Sequence, residues 1–273
     1  MIVMPGMNVP GAKSTIDPDD VVPALKALAK NNRVAGVIVH INSPGGSALA
    51  SDLIWREIDR LRRRKPVVAY CSDIAASGGY YMAVGCDKII CREETITGSI
   101  GVVAGKMSGG GIAEKLGIDV DVIGDDSTSM LSAFAPMDEE TLNRFADDAR
   151  TFYRRFLERV GQARNLSKRR LHRYARGRVY TGSQALERGL VDGLGGFDAA
   201  VDMLLSEIAK DDQTCDPNPV FVSHQKRDWR ANLRRSLVSG STSWLDQNVS
   251  DAVVAHTIFK NERVVALCPH RLT

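Results

Sequence analysis

Two short apolar runs, each closed by a glycine-bearing turn and followed by a helical stripe, constrain this chain most. Val34 to Ile41 is mainly apolar and β-branched, the composition of a parallel strand covered on both faces. Ser43-Pro44-Gly45-Gly46 follows as a turn. Leu49, Leu53, Ile54, Ile58 and Leu61 then keep helical spacing until Pro66 stops them. The order repeats: Val67 to Cys71 reads as a strand, Ser77-Gly78-Gly79 as a turn, Tyr80 to Val84 as a short helix and Lys88 to Cys91 as a further strand. Strands that alternate with helices imply an α/β fold with a mostly parallel sheet, joined by right-handed crossovers.

The rest of the chain extends this pattern. Asp17-Pro18-Asp19-Asp20 has the residues of a helix start, with a cap, a proline in the first turn and acids at the positive end of the dipole. Gly98-Ser99-Ile100-Gly101 predicts a tight loop, Ile112 to Leu116 a short helix and Ile118 to Ile123 a strand. From Asp138 to Arg164 the period is helical, with Leu142, Phe145, Ala149, Phe152, Phe156 and Val160 on one face. So wide an apolar stripe predicts an oligomer, although core packing also accounts for it. Helices over Ser167 to Arg176, Ser183 to Arg188 and Ala199 to Ala209 follow, with Val179-Tyr180 and Leu190-Val191-Asp192 between them. Asp211 to Pro219 reads as a linker, and Arg263 to Cys268 as a last strand. The expected division is one domain over 1–209, with 210–273 a tail packed on it or on a neighbouring subunit.

Composition narrows the function. Thirty-six Lys and Arg against 33 Asp and Glu leave a net charge of +3, too small a footprint to argue for nucleic acid. The five cysteines form no CxxC pair and three lie in apolar runs, which predicts buried thiols in a reducing compartment rather than a disulfide framework or a zinc site. No metal or cofactor is expected. No apolar run approaches the ~20 residues of a membrane helix, and no signal peptide is visible.

Three segments carry candidate chemistry. Ser77 stands between a buried strand and a helix, where the next backbone N–H groups and the dipole favour negative charge, and Gly78 and Gly79 leave room for a substrate backbone. A nucleophile beside an oxyanion hole needs this arrangement; a serine N-cap with glycines for close packing has the same residues. Ser43-Pro44-Gly45-Gly46 also follows a strand, at the sheet edge where open α/β folds bind ligands. In the third segment, Thr97 to Val102, a hydroxyl would orient a base or cap a turn. Of the five histidines, none lies between Ser77 and residue 171, and His40 reads as a core residue of its strand, so no Ser–His–Asp triad is expected.

Asn42-Ser43-Pro44-Gly45-Gly46, Ala76-Ser77-Gly78-Gly79-Tyr80-Tyr81, Gly98-Ser99-Ile100-Gly101-Val102, Gly177-Arg178-Val179-Tyr180-Thr181-Gly182 and Gly189-Leu190-Val191-Asp192 occur in that order. Together they resemble the signal peptide peptidase A (protease IV) family of bacterial serine proteases, over residues ~34 to 205. The resemblance implies a Clp protease/crotonase-like spiral of ββα units with a C-terminal helical extension, a serine–lysine dyad, peptide substrates and ring-like oligomers at a membrane. It places the nucleophile at Ser77, oxyanion donors at Gly45 and Gly78, and at Ser99 a serine that helps orient the lysine.

The resemblance also calls for a lysine where this chain has Thr128, and a threonine hydroxyl binds no proton near neutral pH. Lys106, after the Ser99 loop, is the internal rival. The expectation is that the lysine comes from a second repeat or chain, as in tandem members where serine and lysine lie in different repeats. Membrane association would come through an anchor or partner outside this chain, which is otherwise cytoplasmic. The alternative is an inactive member that binds peptides or membrane proteins as a scaffold. An acyl-CoA-handling crotonase-type enzyme shares the fold, but Ser77-Gly78-Gly79 and Tyr80-Tyr81 favour the peptidase branch.

Overall fold

The computed structural model describes residues 1–3, 15–105, 108–120, 132, 134, 139–211 and, by their backbone, 220–223 and 264–268. Helix α1 (Pro18–Lys30) begins as its sequence dictates: the Asp17 carboxylate accepts from the Asp19 N–H at 2.8 Å and Asp19 and Asp20 fill the first turn. Strand β1 (Gly36–Ser43) leads into helix α2 (Ala48–Arg62), capped by the Ser47 hydroxyl. Strand β2 (Val67–Ala76) leads into helix α3 (Gly78–Ala83). Strands β3 (Lys88–Cys91) and β4 (Ile96–Gly98) follow, then helices α4 (Gly110–Lys115), α5 (Glu139–Arg164) and α6 (Lys168–Tyr174). Strand β5 (Val179–Tyr180), helix α7 (Gly182–Glu187), strand β6 (Gly193–Leu194), helix α8 (Phe197–Asp211) and strands β7 (Val220–Ser223) and β8 (Val264–Cys268) complete the order.

The sheet runs β5-β4-β2-β1-β8-β7. Strand β2 is long enough for two successive partners on one side: its first half pairs with β3, its last three residues with β4. All pairs among β1, β2, β3, β4 and β6 are parallel. The late strand β8 adds antiparallel to β1, and β7 to β8. Alternate residues of the central strands enter two cores. Val37, Val39 and Ile41 pack with Leu25, Leu28, Ile54 and Ile58 on one face, while Ile38, Val68, Tyr70 and Ile90 meet Ala200, Leu204 and Ile208 of α8 on the other. Burial on both faces is why β1 and the start of β2 read as nearly unbroken apolar runs.

The structure differs from the sequence reading at three strands. The sequence predicts one over Ile118–Ile123; Ile118 and Val120 instead lie exposed with no strand pairing among the described residues, and 121–123 fall outside them. Alternation of Ile118 and Val120 with polar neighbours mimics a strand, but a strand needs a neighbour to complete its ladder. Conversely, the sequence pattern marks β4 only as part of a loop, and β7 only as tail. Three residues carry no periodicity, and β4 exists because β2 runs on to Ala76 beside it. No helix among the described residues is long and apolar enough to cross a membrane.

Candidate active site

The three glycine turns meet because β4, β2 and β1 are neighbours. Register pairs Ala76 with Gly98 and Ala75 with Ser43, so the carboxyl ends of three parallel strands open at one edge. Ser77 and Ser99 each follow one of the paired residues, Ala76 and Gly98. Both have left-handed backbones, at φ 51° and φ 50°, a conformation rare outside glycine. The Ser77 N–H donates to the Gly98 carbonyl at 3.0 Å and its carbonyl accepts from the Tyr81 N–H at 2.8 Å. The Ser99 N–H donates to the Arg178 carbonyl at 2.8 Å. The hydroxyl of Ser77 makes no capping bond to α3, so the N-cap role that its position also allowed is not taken up.

Ser77, Gly78, Gly46 and Ser99 line one cleft of about 1030 Å³. Its other wall is α5, which contributes Phe145, Phe152, Tyr153 and Phe156, with Tyr81 at the base of that wall. The phenylalanine stripe of α5 is therefore used within this chain: Phe156 and Val160 enter the core and Phe145 and Phe152 face the cleft. Gly45 stands against the Ser77 turn. A Cβ there, at φ +104°, would lie 2.8 Å from Ser77 Cβ and 2.9 Å from Gly78 N. Its N–H donates to Ser43 Oγ at 3.1 Å. Gly46 is the glycine of that turn in the cleft lining, and its N–H meets no partner among the described residues. The turn is clamped from outside by Ile2, whose N–H donates to Gly45 O and whose carbonyl accepts from Ser47.

Behind the cleft lies a polar contact that the sequence reading missed. Tyr81 Oη donates to the buried Asp52 carboxylate at 2.6 Å, with Arg155 at 4.0 Å from the same carboxylate. Burial, and then the Asp52 hydrogen bond, push the Tyr81 phenol well above its usual range. Arg159 stacks on Trp55 at 3.6 Å, tying α5 to α2. The pairing Asp52–Tyr81 spans 29 residues, and no local pattern announces it.

Among the described residues, the cleft lining holds no lysine and no histidine. Lys106 and Thr128 lie outside the described residues. His40 is on the far face of the sheet, bonded to Ser72 Oγ at 3.0 Å and stacked on Tyr70. Lys88 reaches toward Asp192, at 3.8 Å. Cys71, Cys86 and Cys91 are buried free thiols.

The sequence profile of Peptidase family S49 matches residues 59–210, more than half of the chain. The chain belongs to Peptidase family S49. It is a family of serine peptidases, and the match includes the Ser77 turn, the Ser99 loop and the α5 wall. The Clp protease profile matches residues 10–97, and the curled, mostly parallel sheet is a ClpP/crotonase-like α/β fold. Among relatives, Serine protease SPPA, chloroplastic, of Arabidopsis thaliana is 36% identical over 197 residues, 71% of this chain and 29% of its own length. Protease 4 of Haemophilus influenzae is 37% identical over 184 residues, 67% of this chain and 30% of its own. The S49 chain thus spans less than a third of these two relatives. Among solved structures, the ClpP1 N165D mutant from Listeria monocytogenes aligns with a TM-score of 0.48 at 16% identity, over 66% of this chain and 84% of that one.

Proposed function

We propose that this S49 chain is a serine endopeptidase domain that cleaves short apolar peptides, such as released signal peptides, through an acyl-enzyme on Ser77. The observation that carries the reading is Ser77 itself: a strained serine at a strand-to-helix turn, its hydroxyl free of capping, opening into an apolar cleft. Ser77 Oγ would attack the scissile carbonyl. The oxyanion would rest on the Gly78 N–H and on one from the Gly45-Gly46 turn. Gly46 suits that second role better than Gly45, whose N–H is already turned to Ser43. Ser99, held beside Ser77 by the β2–β4 register, would orient the base. An extended peptide would lie along the open sheet edge against the α5 aromatics.

The base would be a lysine from a second repeat or chain, desolvated at the contact so that it is neutral when it takes the proton. A cleft lining without lysine or histidine among the described residues supports this origin, and a ring-like oligomer or tandem partner would supply it. The same observation favours a second reading, a family member that binds peptides without cleaving them.

A fluorophosphonate probe and a quenched apolar peptide separate these. The chain alone should label weakly and hydrolyse little, a lysine-bearing S49 repeat should restore both, and Ser77→Ala should abolish the restored labelling. Thr128→Lys should raise activity of the lone chain. Robust hydrolysis by the lone wild type that survives Lys106→Ala would defeat the external lysine; its loss in Lys106→Ala would make Lys106 the base. Absence of labelling with every partner would leave the scaffold.

A further inference from the structure

Ile2 is remote in sequence from the glycine turns that line the cleft, yet it meets two of them. Its N–H donates to the Gly45 carbonyl at 2.9 Å, and its carbonyl accepts from the Ser47 N–H at 3.0 Å. The two bonds flank Gly46, with which Ile2 forms a parallel bridge. In such a ladder the N–H of the bridged residue is directed away from its partner. The Gly46 N–H is therefore turned from Ile2, and Gly46 lines the cleft. No side chain fits at Gly46, because its Cβ would run into the Ile2 carbonyl oxygen.

The side chain of Ile2 reaches the other turn. It is 1% exposed, and a Cβ on Gly78 would lie 2.9 Å from Ile2 Cδ1 and would collide with Ser51 Oγ. Gly78 is thus seated against Ile2 and Ser51, and the Ser51 hydroxyl donates to the Ser47 carbonyl at 2.7 Å. The chain on either side of Ile2 is itself fixed. The Val3 N–H donates to the Ile16 carbonyl at 3.0 Å, and the Ile16 N–H to the Met1 carbonyl at 2.9 Å. Ile16 packs against the same core as Ile2.

We propose that Ile2 is a positioning residue for the oxyanion hole, setting the separation of the Gly46 and Gly78 N–H groups. The inference rests on the peptidase reading and adds a residue that takes no part in the chemistry. An oxyanion is stabilised by donors already in place when charge develops. Here the two donors belong to turns that follow different strands, β1 and β2. The register of those strands shifts between Ile41 and Ser43, just before the Gly45-Gly46 turn, so the ladder alone does not fix one turn against the other. Ile2 does so, with its backbone on Gly45 and Ser47 and its side chain on Gly78. A close-packed contact transmits a displacement instead of absorbing it, and a misplacement of about 1 Å can cost about 10²-fold in rate.

Ile2→Val deletes only the Cδ1 methyl, Ile2→Ala the side chain beyond Cβ, and Ile2→Leu keeps a δ-methyl. Leu28→Ala, on α1, truncates a side chain of the same size in the same core. All carry one short N-terminal tag, so that Met1 and its bond to Ile16 are retained. Each is assayed with the lysine-bearing S49 repeat on the quenched apolar peptide, and its Ser77→Ala form is titrated with a fluorescein-labelled copy of that peptide by anisotropy. The kcat should fall about fivefold or more in Ile2→Val and about 10–100-fold in Ile2→Ala, and stay within about twofold in Ile2→Leu and Leu28→Ala. KM and the anisotropy Kd should stay within about twofold throughout, because the hole binds the transition state and not the ground state. Circular dichroism checks folding, and if Ile2→Ala does not fold, Ile2→Val against Ile2→Leu decides. Unchanged kcat in the Ile2→Val and Ile2→Ala chains, an equal fall in Leu28→Ala, or a loss confined to KM would overturn the inference and leave the peptidase reading standing. No turnover by the wild type with any lysine-bearing repeat would defeat that reading and this inference with it.

Discussion

Ser77 stores backbone strain that a single substitution should release. Its φ of 51° and ψ of −117° lie where glycine is at ease and a Cβ is not. A residue held in such a region costs about 1–3 kcal/mol. Ser77→Gly removes that cost and returns about 0.4–1 kcal/mol through the greater freedom of the unfolded chain. Nothing is lost from helix capping, because the Ser77 hydroxyl makes no capping bond to α3. The net is a gain of about 1 kcal/mol, which for a domain of this size raises the melting temperature by about 2–4 °C. Ser77→Ala is the control, since it deletes the same hydroxyl but keeps the Cβ and therefore the strain. Wild type, Ser77→Ala and Ser77→Gly are compared by urea unfolding and by thermal melts, with fluorophosphonate labelling alongside. Both variants should lose labelling, and only the glycine variant should become more stable. A glycine variant equal to or less stable than the alanine one would refute the reasoning, because the difference between the two isolates the strain.

Tyr81→Phe should destabilise the chain by about 1–3 kcal/mol, since it strands the buried Asp52 carboxylate without its 2.6 Å donor. Adding Asp52→Asn should recover part of that loss in a double-mutant cycle read by urea unfolding, and full additivity would argue that the contact is energetically idle. The buried thiols should make stability fall at high pH. Burial pushes the Cys91 thiol up to about 12, and Cys71 and Cys86 also well above the ordinary range. An unfolded thiol ionises near ~8.5, so the unfolded state binds fewer protons above that pH. The stabilisation is then complete below about pH 8.5 and drains away as pH rises toward 12. Urea unfolding at pH 7.5 and 10, with a thiol reagent that should label the native chain slowly and the unfolded chain fast, checks both halves.

The sequence by itself determined the α/β class, the order of the central elements and the glycine turns that line the candidate site. Each of these is a local matter. Val37 to Ile41 is apolar at nearly every position because both faces of β1 are covered, and that pattern is legible from one strand. The glycines at 45, 46, 78 and 79 are legible because only a residue without a side chain tolerates such close approach, as the 2.8 Å between a Cβ at Gly45 and Ser77 Cβ shows. Only the tertiary structure decided what those turns do together. Their convergence depends on β4 lying beside β2, and β4 has too few residues to show a period. Likewise, Phe145, Phe152, Tyr153 and Arg176 carry no sign in sequence that they face Ser77. They do so because α5 packs across α3, with Tyr81 against Phe156 at 5.0 Å, and because Tyr153 takes the Arg176 N–H. Periodicity tells which side of an element is buried; it contains no term for which distant element does the burying.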